Sequence, residues 1–181
     1  MNPNLNLSPV PLLNLRNLDH YTMIVENADQ VTKFHVNTLG FKFKYEKLIN
    51  TGTVPEAQHD MINHVLQLPD NPEALCVVTQ GLNERTLFQQ FLKKYGEGIH
   101  HIAYRVENIE KEWATCQKHN IEITSQKIIT DPVSQLRQFF ISRKYTSYFI
   151  ELIERTEELK RDEDFTEGNM RDLALSIKRF L

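Results

Sequence analysis

The spacing of hydrophobic residues divides the first half of the chain into short strands and one helix. Val31, Phe34 and Leu39 recur at the interval of an amphipathic helix. The runs FKFKYEKLI, MINHVLQL and ALCVVTQG that follow are rich in the residue types of strands, and prolines and asparagines separate the last two. Together with the run DHYTMIVEN, this predicts the order strand–helix–strand–strand–strand.

The same order recurs 81 residues further along the chain. DHYTMIVEN aligns with HHIAYRVEN, so that His20 falls on His101, and a second helical segment and three more strand-like runs follow. These runs are IEITSQKII, LRQFFISR and YFIELIE. A pattern repeated at a fixed offset indicates a duplicated structural module. We therefore predict an α+β fold in which two βαβββ modules form a curled mixed sheet around a cleft.

We expect one domain over residues 1–181, because a chain of this length can bury one substantial core. Its predicted parts are module 1 at about 15–81, a linking helix at about 82–97, module 2 at about 98–155, and a tail with a C-terminal helix at 156–181.

Three residues of the predicted strands carry candidate chemistry. His20 and His101 occupy equivalent positions of the repeat, so we expect them to approach each other across the cleft. Glu151 alternates with residues that pack on the helix, which places it on the inward face among apolar neighbours. A carboxylate in such a place is costly unless it is paired or bound to a metal. Two histidines and one carboxylate are the ligands of many non-haem Fe(II) sites.

The residues next to these candidates define the expected ligand count. Strand alternation places His100 on the face opposite His101, at the strand entrance or behind the ligand. In the first module the equivalent of Glu151 falls at about Val77, which cannot bind a metal. The sequence therefore predicts three protein ligands, unless the strand register turns Gln67 or Gln80 inward.

Composition and charge exclude several classes of partner. A formal net charge of −3 shows no basic excess, which argues against nucleic-acid binding, and no apolar run is long enough to cross a membrane. The N-terminus lacks the pattern of a signal peptide, and two cysteines are too few for a disulfide framework. We expect a cytoplasmic protein that binds a small molecule, and a homodimer is left open.

At these residues the sequence resembles the vicinal oxygen chelate superfamily, over roughly residues 15–154. It is most similar to the catalytic half of 4-hydroxyphenylpyruvate dioxygenase, whose iron-binding strands resemble NLRNLDHYTMIV, GEGIHHIAYRVENI and YFIELIER. The segments GLNE, RQFF and FTEGNMRDLALSI resemble further motifs of that family. The resemblance implies iron ligands at His20, His101 and Glu151, catalytic amides at Gln138 and Asn83, and substrate-pocket residues at Phe140, Met170, Asn169 and His100.

The departures from the dioxygenase pattern concern the pocket. Met170 stands where that family has a phenylalanine, and His100 stands where it has a glutamine. Thr166 and Glu167 also differ from the family's tail motif. The implied substrate is therefore an α-keto acid, or another ligand that chelates through two oxygens, rather than 4-hydroxyphenylpyruvate itself.

A second resemblance leads to a different chemistry. GEGIHHIAYRV, with its doubled histidine, is very similar to the equivalent strand of methylmalonyl-CoA epimerase and its glyoxalase relatives. In those enzymes a divalent metal acts as a Lewis acid, which makes Co(II), Zn, Ni or Mn alternatives to Fe(II). The epimerase chemistry requires a carboxylate base besides Glu151, and the sequence offers no convincing one. A non-catalytic small-molecule binding protein is a further alternative.

Overall fold

The computed structural model describes residues 10–131, 133–155 and 166–177, with side chains to residue 172. The first module comprises β1 (Leu18–Ile24), α1 (Ala28–Leu39), β2 (Lys42–Ile49), β3 (Met61–Gln67) and β4 (Leu75–Gly81). Helix α2 (Leu87–Tyr95) leads to the second module. That module comprises β5 (Gly98–Arg105), α3 (Ile109–Lys118), β6 (Ile129–Thr130), β7 (Arg137–Ile141) and β8 (Phe149–Glu154), and α4 (Glu167–Ile177) follows it.

The eight strands form one curled, unclosed sheet in the order β2-β3-β4-β1-β5-β8-β7-β6. Strands β1 and β5 pair antiparallel at its centre, and each also pairs in parallel with the last strand of its own module. This arrangement confirms the predicted α+β fold with two βαβββ modules. Thr22 pairs with Val77 as Ala103 pairs with Glu151, which establishes that Val77 occupies the place of Glu151 in the first module.

Equivalent residues begin the first helix of each module. The side chain of Asn27 accepts a hydrogen bond from the N–H of Gln30, and that of Asn108 accepts one from Lys111. Asparagine at this position satisfies a backbone donor that the first turn of a helix leaves free. The sequence VEN, which is common to both copies, therefore sets the point at which each strand gives way to its helix.

Two β-bulges interrupt the central pairing of β1 with β5 and change the expected orientation of His100. The register shifts between Leu18 and His20 and between Thr22 and Met23, which leaves Asp19 and His100 as extra residues. A bulge disturbs the strict alternation of side chains. The prediction that His100 faces away from His101 was therefore wrong, because both histidines line the same cavity.

The second module departs from the expected strands in one place. IEITSQKII forms only the short strand β6 and one isolated bridge between Ile123 and Ile141. Side chains of this segment bind backbone groups of β7 that a regular strand would pair with its own backbone. The hydroxyl of Ser125 accepts the N–H of Phe140, and Thr124 Oγ1 donates to the carbonyl of Phe140. The residues before Val10 and most of the predicted tail linker lie outside the described residues.

Each helix of a βαβββ module covers its own half of the sheet. Phe139 and Leu152 pack with Ile109, Cys116 and the half-buried Trp113 under α3. Both cysteines are buried free thiols.

None of the helices in the described part of the chain is long and apolar enough to span a membrane.

The core beneath α3 yields a test of the fold. Phe139 is fully buried and its ring packs edge-on against Trp113, whereas Phe34 on α1 is 53% exposed. Phe139→Ala should lower the free energy of unfolding by about 3–5 kcal/mol, because it leaves a cavity. Phe34→Ala should change it by less than about 0.5 kcal/mol. Urea denaturation followed by circular dichroism measures both, and similar losses in the two variants would contradict the packing described.

Candidate metal centre

Three side chains from three neighbouring strands converge at the centre of the sheet. His20 on β1 and His101 on β5 bring their Nε2 atoms within 3.1 Å of each other. Oε2 of Glu151, on β8, lies 3.3 Å from Nε2 of His20 and 3.4 Å from Nε2 of His101. All three side chains are buried. Strand pairing thus assembles a compact cluster of two imidazoles and one carboxylate.

Each histidine is supported from behind by the bulged residue that precedes it. Nδ1 of His20 donates to Oδ1 of Asp19 at 2.9 Å, and Nδ1 of His101 lies 2.7 Å from Nδ1 of His100. Arg105 and Arg155 both donate to Asp19, at 2.8 and 2.7 Å. The two Nε2 atoms are left to face each other and Glu151. Partners of this kind fix the orientation of histidines that bind metals.

Burial and neighbouring charges separate the pKa values of these groups. Burial alone would lower the pKa of His20, but the carboxylates of Glu151 and Asp19 outweigh it and raise that pKa to about 9. Burial lowers the pKa of His100 to about 3, with a smaller contribution from Arg143. The pKa of His101 also lies well below its usual value, because burial and both neighbouring histidines disfavour its charged form.

The cluster fits a divalent metal ion. One ligand atom from each of His20, His101 and Glu151 lies within 4.8 Å of the others, and spacings near 3 Å separate neighbouring ligands of an ion bound at about 2.0–2.2 Å. Among the described residues neither oxygen of Glu151 has a hydrogen-bond partner, although both are buried. Leaving a buried carboxylate without hydrogen bonds is costly. A cation at this point would compensate it.

A cavity opens beside the cluster, and its empty space is about 520 Å³ when the open solvent at its mouth is included. Its apolar lining includes Met61, Val77 and Phe88. Three buried nitrogens on its lining residues have no hydrogen-bond partner in the described part of the chain: Nε2 of His100, Nε2 of Gln138 and Nδ2 of Asn169. A cavity with free N–H donors around a carboxylate is suited to a small molecule that presents oxygen atoms.

The start of α4 closes one side of the cavity. Thr166 caps this helix by accepting the N–H of Asn169, and its hydroxyl donates to Asp131. Met170 reaches the cavity, where its sulfur accepts a hydrogen bond from Nδ2 of Asn63 at 3.3 Å. The tail therefore places Asn169 and Met170 in the cavity wall.

The structure brings together most of the predicted site residues. Gln138, Asn169, Met170 and His100 line the cavity with the three candidate ligands. The ring of Phe140 is buried and packs edge-on against His101. Asn83 is not among the residues that line the cavity, because it lies in the loop before α2, where its side chain accepts the N–H of Arg85.

Neither glutamine that could have supplied a fourth ligand reaches the cluster. Gln67 donates to the carbonyl of Pro72, and the side-chain oxygen of Gln80 accepts the N–H of Ala28. Within the described ranges the metal-ligating cluster thus consists of His20, His101 and Glu151. Sequence reasoning missed Asp19 as the support of His20, although it immediately precedes that histidine.

Comparison with known proteins gives one family match, one distant curated relative and several solved structures of the same fold. The model of the glyoxalase/bleomycin resistance protein/dioxygenase superfamily matches residues 19–133. A curated 4-hydroxyphenylpyruvate dioxygenase from Coccidioides posadasii (strain C735) is 23% identical over 154 residues. That match covers 82% of this chain, and the chain spans 38% of the relative's length.

Solved structures with the same fold include two methylmalonyl-CoA epimerases. The enzyme from Mycobacterium tuberculosis superposes with a TM-score of 0.62 and 21% identity, covering 80% of this chain and 91% of its own. An epimerase from Streptomyces coelicolor, solved in complex with 2-nitronate-propionyl-CoA, gives 0.60 and 20%, covering 79% and 99%. A hypothetical protein from Bacillus halodurans C-125 gives 0.63 and 21%, covering 80% and 97%. At these identities the similarity establishes the fold alone.

Metal affinity should depend steeply on pH. Protonated His20 cannot bind a metal through Nε2, and its pKa of about 9 means that a metal must displace a proton at neutral pH. We expect the affinity for Zn(II) to rise about tenfold per pH unit between about pH 6.5 and 8.5 and to level off above about pH 9. Competition with a fluorescent chelator measures this, and an affinity that does not vary over the range would contradict it.

The carboxylate behind His20 should strengthen metal binding. Asp19→Asn keeps a hydrogen-bond acceptor but removes the negative charge, so we expect Zn(II) affinity to fall by about 10–100-fold. Glu73→Gln is the matched control, because Glu73 also contacts Arg105 but does not contact His20. This control should retain the parental affinity in the same chelator competition. Equal losses in both variants would show that the arginine network, rather than the support of His20, determines affinity.

Proposed function

Because the chain belongs to the glyoxalase/bleomycin resistance protein/dioxygenase superfamily, we propose that it is a non-haem Fe(II) dioxygenase. Its substrate is an α-keto acid or a similar ligand that chelates through two oxygens. The observation that carries this proposal is the three-ligand cluster of His20, His101 and Glu151. Two histidines and one carboxylate leave coordination positions open for substrate and O₂, as in other non-haem Fe(II) oxygenases.

The small number of carboxylates that line the cavity favours an oxidative reaction over an epimerase-like proton transfer. Glu151 is the one acidic residue among the described residues that line the cavity, and the proposal already uses it as a ligand. An epimerase or glyoxalase-like reaction needs a further base to move a proton at the α-carbon. An oxidative decarboxylation does not. The distant similarity to 4-hydroxyphenylpyruvate dioxygenase supports the same choice.

The protein's own groups bind and orient the substrate in this proposal. His20, His101 and Glu151 would hold Fe(II), which would activate O₂. The substrate would supply all four electrons: one oxygen atom would enter the new carboxylate as CO₂ leaves, and the other would hydroxylate a carbon of the substrate's own side chain. The free amide donors of Gln138 and Asn169 hold the substrate's oxygens. Asn63 occupies the position equivalent to Gln138, but its amide nitrogen already donates to the sulfur of Met170 at 3.3 Å. We therefore assign substrate positioning to Gln138 and Asn169 rather than to Asn63 or Asn83.

The apolar wall has a separate role in the proposal. Phe88, Met61 and Val77 line the cavity beside the cluster and keep water away from the reacting atoms. Met170 stands where the resemblance to 4-hydroxyphenylpyruvate dioxygenase implies a phenylalanine that would pack on a 4-hydroxyphenyl substrate. We therefore propose an α-keto acid with an aliphatic or small side chain.

A second candidate function is an isomerase or lyase of the epimerase type, with Co(II), Zn, Ni or Mn as Lewis acid. The doubled histidine His100–His101 and the shared fold with methylmalonyl-CoA epimerases favour it. Its substrate would be a CoA ester, as in the Streptomyces coelicolor complex. A non-catalytic binding protein is the remaining alternative. A homodimer and a cytoplasmic location stay predictions from the sequence.

Anaerobic reconstitution with Fe(II) tests the proposed reaction. An oxygen electrode then follows O₂ uptake with a panel of α-keto acids that ranges from pyruvate to phenylpyruvate. We expect stoichiometric CO₂ release with at least one of them. Glu151→Ala should abolish uptake, because it removes a ligand. The matched control His119→Ala alters an exposed histidine at the end of α3 and should retain full activity.

The same preparation distinguishes the alternatives. Absence of O₂ uptake with every acid, together with deuterium exchange at the α-carbon of methylmalonyl-CoA under Co(II), would overturn the dioxygenase proposal in favour of the epimerase. Binding of acids or CoA esters without uptake or exchange would favour the non-catalytic alternative.

A further inference from the structure

His100 touches both the candidate metal ligand His101 and the cavity. Its Nδ1 lies 2.7 Å from Nδ1 of His101. Its ring is 2% exposed and packs against the rings of Phe91 and Phe149, with centroids 5.0 and 5.2 Å away. Its other nitrogen, Nε2, is buried without a hydrogen-bond partner among the described residues, and the residue lines the cavity.

The short distance between the two Nδ1 atoms restricts where their hydrogens can lie. Two ring nitrogens at 2.7 Å form a hydrogen bond only if one carries a hydrogen and the other offers a lone pair. His101 must keep the lone pair of Nε2 free to bind a metal, so its hydrogen lies on Nδ1. His101 then donates to Nδ1 of His100, and His100 carries its own hydrogen on Nε2.

We propose that His100 is a positioning residue with two functions: it fixes His101 in the metal-binding tautomer, and it presents an N–H donor to an oxygen of the molecule in the cavity. Metal binding and ligand binding are thereby linked through one side chain, because a metal on His101 selects the tautomer of His100 that can donate. The ligand class that fits is a small acid or carbonyl compound with a free acceptor oxygen. This inference rests on the proposed metal centre and is independent of the reaction.

Asp19, which supports His20, differs from His100, which supports His101, in its contact with the cavity. Asp19 holds the equivalent place behind His20, but its carboxylate also binds Arg105 and Arg155. Asp19 also does not line the main cavity. Of the two bulged residues, His100 is thus the one that can pass a hydrogen bond from a ligand histidine to the substrate.

The tautomers can be read directly in the zinc-loaded protein, which is diamagnetic. Long-range ¹H–¹⁵N spectra of the histidine rings should show hydrogen on Nδ1 of His101 and on Nε2 of His100. A hydrogen on Nδ1 of His100 in the zinc-loaded protein would overturn the proposal. Failure of the unaltered protein to bind zinc at His101 would overturn the metal centre and this inference with it.

Two substitutions separate the two functions of His100. In His100→Asn the side-chain oxygen takes the place of Nδ1, so His101 keeps its acceptor but the cavity loses its donor. In His100→Gln the side-chain amide reaches the place of Nε2, so the cavity keeps a donor but His101 loses its acceptor. Thermal unfolding of each variant establishes that it is folded before binding is measured.

Zinc affinity and oxalate affinity are the two readouts, with oxalate as a probe that chelates through two oxygens. His100→Gln should weaken zinc binding by about 10–100-fold and, at saturating zinc, leave oxalate binding near the parental value. His100→Asn should leave zinc binding within about threefold and weaken oxalate binding about three- to tenfold, the value of one hydrogen bond. Variants that change both affinities alike, or neither, with zinc still bound, would overturn the proposal without affecting the metal centre.

Discussion

The structure depends on how the protein accommodates the buried carboxylate of Glu151. Its two oxygens have no hydrogen-bond partner in the described part of the chain, and the Nε2 atoms of His20 and His101 lie 3.3 and 3.4 Å from Oε2. An unpaired carboxylate in an apolar interior is unfavourable by several kcal/mol. The neighbouring charge must therefore come from protonated His20 or from a cation. This constraint links the pKa of His20, the affinity for metal and the position of the site at the join between the modules.

The duplicated scaffold supplies a symmetric frame that the side chains fill asymmetrically. Val77 takes the place of Glu151, so the first module adds no carboxylate to the cluster. Asn63 and Gln138 also occupy equivalent places, yet only the amide nitrogen of Gln138 is without a partner. Asp19 and His100 differ in the same way behind the two histidines. At these two positions the polar groups of the first module are paired within the protein, whereas those of the second include a nitrogen without a partner among the described residues.

The sequence predicted most of the elements and the convergence of His20, His101 and Glu151, because both follow from local pattern and repeat. Periodicity located the helices and most strands, and the alignment of His20 with His101 identified the pair that meets at the centre. The bulges at Asp19 and His100 could not be predicted, since they arise from the pairing of β1 with β5 rather than from either strand alone. Asn83 was assigned by resemblance, but the turn before α2 uses its side chain locally. The loss of a full strand in IEITSQKII likewise depends on hydrogen bonds from Thr124 and Ser125 to a distant strand.

Binding of one metal ion by His20, His101 and Glu151 is the premise of the proposed function. Diffraction from crystals of the Fe(II)-loaded protein, collected at the iron absorption edge, tests it most directly. We expect a single anomalous peak about 2.0–2.2 Å from Nε2 of His20, Nε2 of His101 and an oxygen of Glu151. Iron bound instead at exposed histidines such as His59 or His119, with no peak between the three buried side chains, would contradict it.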